Sequence, residues 1–290
     1  MIGRSGGRAE SSGDADAPLA ATAGALDGEA FKSCCADFYG DELVRRIIGD
    51  SFHPGGMALT RELLDQVGVT DGDRLLDVAT GLGTSALLAA EERGCQVVGL
   101  DLSTENLERA RTEAQRRDLD DRLQLQTADA ERIPFPDESF DVVLCECAFC
   151  TFVDKPTAAA EMARVLRPGG RLALSDMTID KTTFPADLDT LLMRVACIAD
   201  ALPAAKLTAL FEASGFGGLT LHDASWGLKE MVDQIRQRLL AIDLLGRMGK
   251  LPLGNLDLTE GKRLTRRALE VIADGVVGYV TLTGTKPAHP

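Results

Sequence analysis

Histidine is scarce. The 290-residue chain has three, His53, His222 and His289. A Ser-His-Asp hydrolytic group or a multi-histidine metal centre therefore has little material to be built from. Aromatic residues make up 4% of the chain, with Trp226 the sole tryptophan. No stretch of about 18 apolar residues occurs, so no transmembrane helix is expected. The N-terminal region carries Arg4, Arg8, Asp14 and Asp16 but lacks the apolar core of a secretory signal. Basic residues are outnumbered, 31 against 45 acidic ones, for a net charge of −14. That balance argues against nucleic acid or an anionic membrane as the main partner, and it disfavours a large anionic substrate.

What is present is ordinary for a soluble globular chain: 45% hydrophobic and 26% charged residues. The length suits one α/β domain with added segments, or two small domains, and is ample for a buried core. The seven cysteines are Cys34, Cys35, Cys95, Cys145, Cys147, Cys150 and Cys197. Their odd number and the missing secretion signal suggest free thiols and a cytoplasmic location.

Residues 1–28 are rich in Gly, Ala, Ser and Asp and nearly devoid of large apolar side chains. Such a segment reads as a disordered tail. The rest, 29–290, reads as one domain: N-terminal helices over 29–67, a core over 68–180, and further helices with the last strands over 181–290. Helices are expected over 31–48 and 57–67. Between 74 and 175, short apolar runs at 74–79, 96–100, 123–127, 140–145 and 171–175 alternate with helical patterns at 84–92, 104–117 and 157–166. Strands that are apolar nearly throughout, separated by helices, indicate a parallel sheet covered on both faces. Pro168-Gly169-Gly170 reads as a turn. Beyond Met177, helices are expected at 187–199, 204–214, 226–248 and 259–273, with strands at 219–222 and 276–284.

Asp77-Val78-Ala79-Thr80-Gly81-Leu82-Gly83 joins the first strand to its helix. Gly81 and Gly83 permit positive φ and close approach of a ligand to the backbone. Asp101 closes the second strand, where a carboxylate can accept the two hydroxyls of a ribose. Two glycines alone equally suit a tight structural turn. Together with Asp101 they point to a nucleoside cofactor.

These segments resemble the class I S-adenosylmethionine-dependent methyltransferases over about residues 65–180. The acidic residue and glycine turn of the family's first motif match Asp77 through Gly83, with Ala79 standing where the family usually has its first glycine. Asp101, followed by Leu102, matches the ribose-binding acid. Ala128-Asp129-Ala130 matches the adenine-recognising segment, and Arg164-Val165-Leu166-Arg167-Pro168-Gly169-Gly170 is typical of the family. The resemblance implies a Rossmann-like, seven-stranded methyltransferase sheet with helices on both faces, its last strand antiparallel, under a helical cap. It implies S-adenosyl-L-methionine as cofactor, with Asp129, Ala130 and Cys145 among its contacts. The sulfonium methyl is already activated, so the protein must align a nucleophile and exclude water, and a dedicated acid or base is optional.

Cys145, Cys147 and Cys150 lie where the fourth strand ends, beside the methyl donor in this fold. Cys145 and Cys147 share a face if the strand continues that far. They read as small buried hydrophobes, as a redox or zinc pair, or as acceptor-side thiols. Thiolates bind soft centres. Here the chain resembles the arsenite methyltransferase branch: Asp141-Val142-Val143-Leu144-Cys145-Glu146-Cys147 puts Cys147 at the branch's cysteine, with Asp154-Lys155 following in register. Cys197, upstream of Gly215-Phe216, matches a second. Glu146 departs from the branch's usual Asn, and Cys34-Cys35 lie farther from the glycine motif than the branch's N-terminal cysteines. The leading expectation is methyl transfer to thiolate-bound As(III), with Cys147, Cys197 and Cys34 or Cys35 as ligands and a thiol reductant as partner. The alternatives are a methyltransferase for an organic small molecule, and a non-catalytic cofactor- or metalloid-binding protein.

Overall fold

A computed structural model describes residues 28–40, 49, 52–188, 200–248 and 258–288. Its elements follow the chain as α1 (Gly28–Gly40), α2 (Gly56–Gln66), β1 (Arg74–Val78), α3 (Thr84–Leu88), β2 (Gln96–Asp101), α4 (Thr104–Arg116), β3 (Leu123–Thr127) and β4 (Phe140–Glu146). Then come α5 (Lys155–Val165), β5 (Leu166–Ile179), α6 (Ala204–Ala213), β6 (Gly217–Asp223), α7 (Ser225–Arg247), α8 (Leu258–Ala273) and β7 (Val277–Thr285).

The seven strands form one sheet in the order β3-β2-β1-β4-β5-β7-β6. β1 to β5 run parallel, and β7 pairs antiparallel with both β5 and β6. Alternation along the strands supplies both faces. Leu76, Val98, Val143 and Leu172 pack with Met162 of α5 and Phe211 of α6. Their neighbours Leu75, Val97, Val142 and Ala173 pack with Leu63 of α2 and Leu87 of α3. A third cluster joins the far ends of β5 and β7 to Leu228 of α7 and Leu264 of α8, forming a helical cap. The expected fold class is the one observed.

Local expectations are corrected in places. α1 spans 28–40. Residues 41–48 of the expected first helix lie outside the described residues, as do 1–27 of the expected tail and 189–199 of the expected helix at 187–199. α3 passes into a π-helical turn, Ala89–Arg93, stopped by Gly94 at φ 70°. Arg167-Pro168-Gly169-Gly170 does not end one element and begin another. It bulges within β5, whose register jumps from Phe140↔Leu166 to Val142↔Arg171. The bulge keeps its backbone paired: Gly169 donates to Lys286 O at 2.8 Å, and Lys286 N donates to Gly170 O at 2.8 Å. Among the described residues, no helix is long and apolar enough to cross a membrane.

Candidate active site

β1 lies between β2 and β4, with chain order running outward on either side, so its carboxyl end is the topological switch point of the sheet. Open α/β sheets bind ligands there. A cleft of about 1120 Å³, solvent at its mouth included, occupies this position. One wall is the loop after β1. Thr80 N donates to Leu100 O at 2.7 Å, and Gly83 N closes the turn on Thr80 O at 2.9 Å. Gly83 has φ 73°, and a Cβ there would meet the Ala110 Cβ at 2.8 Å. Ala79 takes φ 60°, a left-handed conformation that favours glycine.

Asp101 locks this loop to β2. Its carboxylate accepts from Gly81 N at 2.7 Å and from Ser103 N at 2.8 Å. Burial pushes its pKa up, against the pull of those amides. Asp77 sits deeper and accepts from Thr80 Oγ1 at 2.5 Å. Burial, opposed by that hydroxyl and reinforced by the Glu146 and Asp101 carboxylates, pushes Asp77 up to about 8.

Glu146, at the end of β4, has a side chain only 3% exposed. It accepts from Ser85 Oγ at 2.6 Å, Thr60 Oγ1 at 3.0 Å and Ser175 Oγ at 3.3 Å. His53 Nδ1 stands 3.8 Å away, and Tyr279 extends the network by donating to Ser175 at 2.9 Å.

The opposite wall comes from α1 and the turn before α2. Tyr39 and Phe52 pack at 5.4 Å between ring centroids. A Cβ on Gly81 would stand 3.5 Å from Phe52 Cδ2, so this aromatic pair sits over the glycine loop. Lys32 of α1 donates to Asp129 Oδ2 at 2.6 Å and Glu131 Oε2 at 2.7 Å, which ties α1 to the segment after β3.

Most of the residues singled out from sequence converge here. Asp77, Ala79, Gly81, Asp101, Leu102, Asp129 and Ala130 line the cleft, and so do Cys35 and Cys147. Gly83 shapes the loop from behind, against Ala110. Cys145 does not reach the cleft: it is fully buried in the sheet core, and burial raises its thiol pKa well above the ordinary value. It shares no face with Cys147, because β4 stops at Glu146 and Cys147 turns to φ 52°. Cys34 lies on α1 beside Cys35, outside the cleft lining, its thiol pushed up by burial and then by Asp37. Cys197 lies outside the described residues. None of the six described cysteines is in a disulfide, and among the described residues no three His, Cys, Asp or Glu side chains are grouped to hold a metal ion.

Sequence reasoning missed Lys32, Phe52 and Asn106 in the cleft. The packing that brings Lys32 to Asp129 spans 97 positions, and no local pattern signals it.

The arrangement suits a nucleoside carrying a positive charge. The glycine turn leaves room where side chains would intrude. Asp101 and Asp129 present acceptors at strand ends, and Asp77 and Glu146 place buried carboxylates where a cation would offset their desolvation.

Residues 76–174 match the methyltransferase domain family. The chain is 30% identical over 280 residues to Methyltransferase GfsG of Streptomyces halstedii, covering 89% of this chain and 96% of that protein. It is 32% identical over 151 residues to the arsenite methyltransferase of Halobacterium salinarum, covering 50% of this chain and 37% of that one. The fold matches phosphoethanolamine N-methyltransferase 2 of Haemonchus contortus, solved in complex with S-adenosyl-L-methionine, with TM-score 0.73 and 22% identity. That match covers 91% of this chain and 61% of the longer enzyme. With similarity to a whole methyltransferase added to the sheet order and the cleft at its switch point, the chain belongs to the class I methyltransferases that use S-adenosylmethionine as cofactor.

Proposed function

We propose that the chain transfers the methyl group of S-adenosylmethionine to a small organic molecule held against Tyr39 and Phe52. The observation that carries this reading is one continuous cleft in which the acid-and-glycine wall meets an aromatic wall. Bound cofactor supplies a methyl group already activated on a sulfonium. The residues do the rest. Asp101 accepts from the ribose hydroxyls while its bonds to Gly81 and Ser103 hold it in place. Asp129 and Ala130 receive the adenine. Asp77 and Glu146 offset the positive charge of the methionine end. The aromatic wall keeps water out and presses the acceptor into line.

The acceptor is neutral or weakly basic on this reading. Lys32 is the one Lys or Arg among the described cleft-lining residues, and its ammonium is committed to Asp129 and Glu131. The test is label transfer from methyl-labelled S-adenosylmethionine to a panel of hydroxylated and aminated aromatic and aliphatic compounds. Arsenite with a thiol reductant runs in parallel. Transfer to an organic compound supports the reading; label appearing on arsenic alone would overturn it.

A metalloid acceptor keeps one specific observation in its favour: Cys35 and Cys147, from separate elements, line the same cleft. With Cys197 as third ligand they would hold As(III) through three sulfurs. Losing arsenite methylation in both Cys35→Ser and Cys147→Ser would establish that alternative.

A further inference from the structure

Asn106 is an anomaly of the cofactor wall. It sits in the first turn of α4, a 13-residue helix capped by Ser103, whose Oγ accepts from Asn106 N at 3.3 Å. The buried face of this helix is otherwise Leu107, Ala110 and Ala114. An apolar residue would fit that pattern and the helix better than asparagine. Asn106 is only 1% exposed, and its carboxamide oxygen is buried with no hydrogen-bond partner among the described residues. A buried acceptor left unpaired is penalised by its lost hydration, so such an atom calls for an explanation.

Its position supplies one. Asn106 lines the cleft, whereas the buried orphan groups on Arg93 and Thr281, among the described residues, do not. Residues four apart on a helix share a face, so Asn106 lies one turn from Ala110, the residue against which Gly83 packs. Asn106 thus occupies the angle between the glycine loop and Asp101. Each Asp101 oxygen already accepts one backbone N–H, from Gly81 on one side and Ser103 on the other. The remaining capacity of that carboxylate is shared between two ribose hydroxyls.

We propose that Asn106 is a second ribose-recognising residue: its carboxamide oxygen accepts a hydrogen bond from one of the two hydroxyls, beside Asp101. The proposal deepens the cofactor reading and rests on it. The orphan oxygen is then a pre-formed acceptor, paired only when the nucleoside is bound. Asn106 sharpens selection for a ribose over a deoxyribose without taking part in methyl transfer.

The experiment is calorimetric titration of wild type, Asn106→Leu and Asn106→Ala with three ligands: S-adenosylhomocysteine and its 2′-deoxy and 3′-deoxy analogues. Thermal unfolding of each apo protein runs alongside. The expected result is a roughly tenfold weaker Kd for S-adenosylhomocysteine in both variants, the size of one hydrogen bond. For one deoxy analogue the wild type and variants bind alike, because the hydroxyl that Asn106 reads is missing. The apo Asn106→Leu protein melts at a higher temperature than wild type, since the orphan acceptor is gone. A purely structural asparagine would instead shift all three ligands by the same factor, or none, and either pattern overturns the proposal. Failure of the wild type to bind S-adenosylhomocysteine would overturn the cofactor-wall reading itself, an outcome distinct from equal shifts in the variants.

Discussion

The two walls of the cleft are built on different principles. The cofactor wall is local: Asp77 to Gly83, Asp101 to Ser103 and Ala128 to Ala130 are short loops at consecutive strand ends, cross-bonded through the backbone. The acceptor wall is assembled from a distance, with Tyr39 and Phe52 laid over Gly81 and Lys32 tied to Asp129. The first wall has one geometry compatible with its glycines and acids. The second depends on side-chain packing, which tolerates exchange. A fold can therefore keep its cofactor while changing its acceptor, as the mixed activities of its relatives illustrate.

Perturbing the cofactor wall should give the largest effects. The Asp77 carboxyl rises from 3.8 to about 8 on folding, so the folded state binds its proton more tightly than the unfolded one. Its contribution to apo stability is full below pH 4 and lost as pH rises towards 8. At about 1.36 kcal/mol per unit this amounts to at most about 6 kcal/mol. Asp77→Asn should remove that slope in denaturant unfolding measured from pH 4 to 8, and an unchanged slope would refute the assignment. Gly83→Val forces a side chain into Ala110 at φ 73°. A loss of about 3 kcal/mol or more is expected, combining left-handed strain with overpacking. Near-normal stability would mean that the loop is looser than described.

The acceptor wall should respond more gently. Cys35→Ser and Cys147→Ser are expected to keep methyl transfer to an organic acceptor within a few-fold, read as kcat/KM. Complete loss in both would place the two thiols in the transfer to that acceptor and contradict the expectation. Lys32→Met removes two bonds across the cleft mouth. It should cost about 1 kcal/mol of apo stability and speed S-adenosylhomocysteine release several-fold, measured by stopped flow. The smallest effect is expected back in the cofactor wall, where Ala79→Gly relieves a left-handed alanine at φ 60°. Strain relief offset by glycine's added freedom leaves a gain of up to about 1 kcal/mol, visible as a small rise in Tm.

The same contrast explains what could be read from sequence. Strands buried on both faces betray themselves as apolar runs, so β1, β2, β4 and β7 were legible to within a residue or two. The glycine turn was legible because a left-handed backbone needs glycine at short spacing, and Asp101 because it closes an apolar strand. The end of β4 was not. Alternation carried past Glu146 places Cys147 on the face of Cys145, whereas the backbone leaves the extended region at Cys147. The Pro168-Gly169-Gly170 bulge was hidden because its backbone pairs with Lys286, far along the chain. Asn106 was silent in sequence. A polar residue in a polar amphipathic helix is unremarkable until its burial and unpaired oxygen are seen.

The claim on which the rest depends is that the wall of β1 and β2 holds the cofactor through Asp101. Calorimetric titration of S-adenosylhomocysteine into wild type and Asp101→Ala tests it most directly. The account predicts one site per chain in the wild type and binding at least a hundredfold weaker in the variant, since Asp101 both accepts from the ribose and holds Gly81. Equal affinity in the two proteins would contradict it.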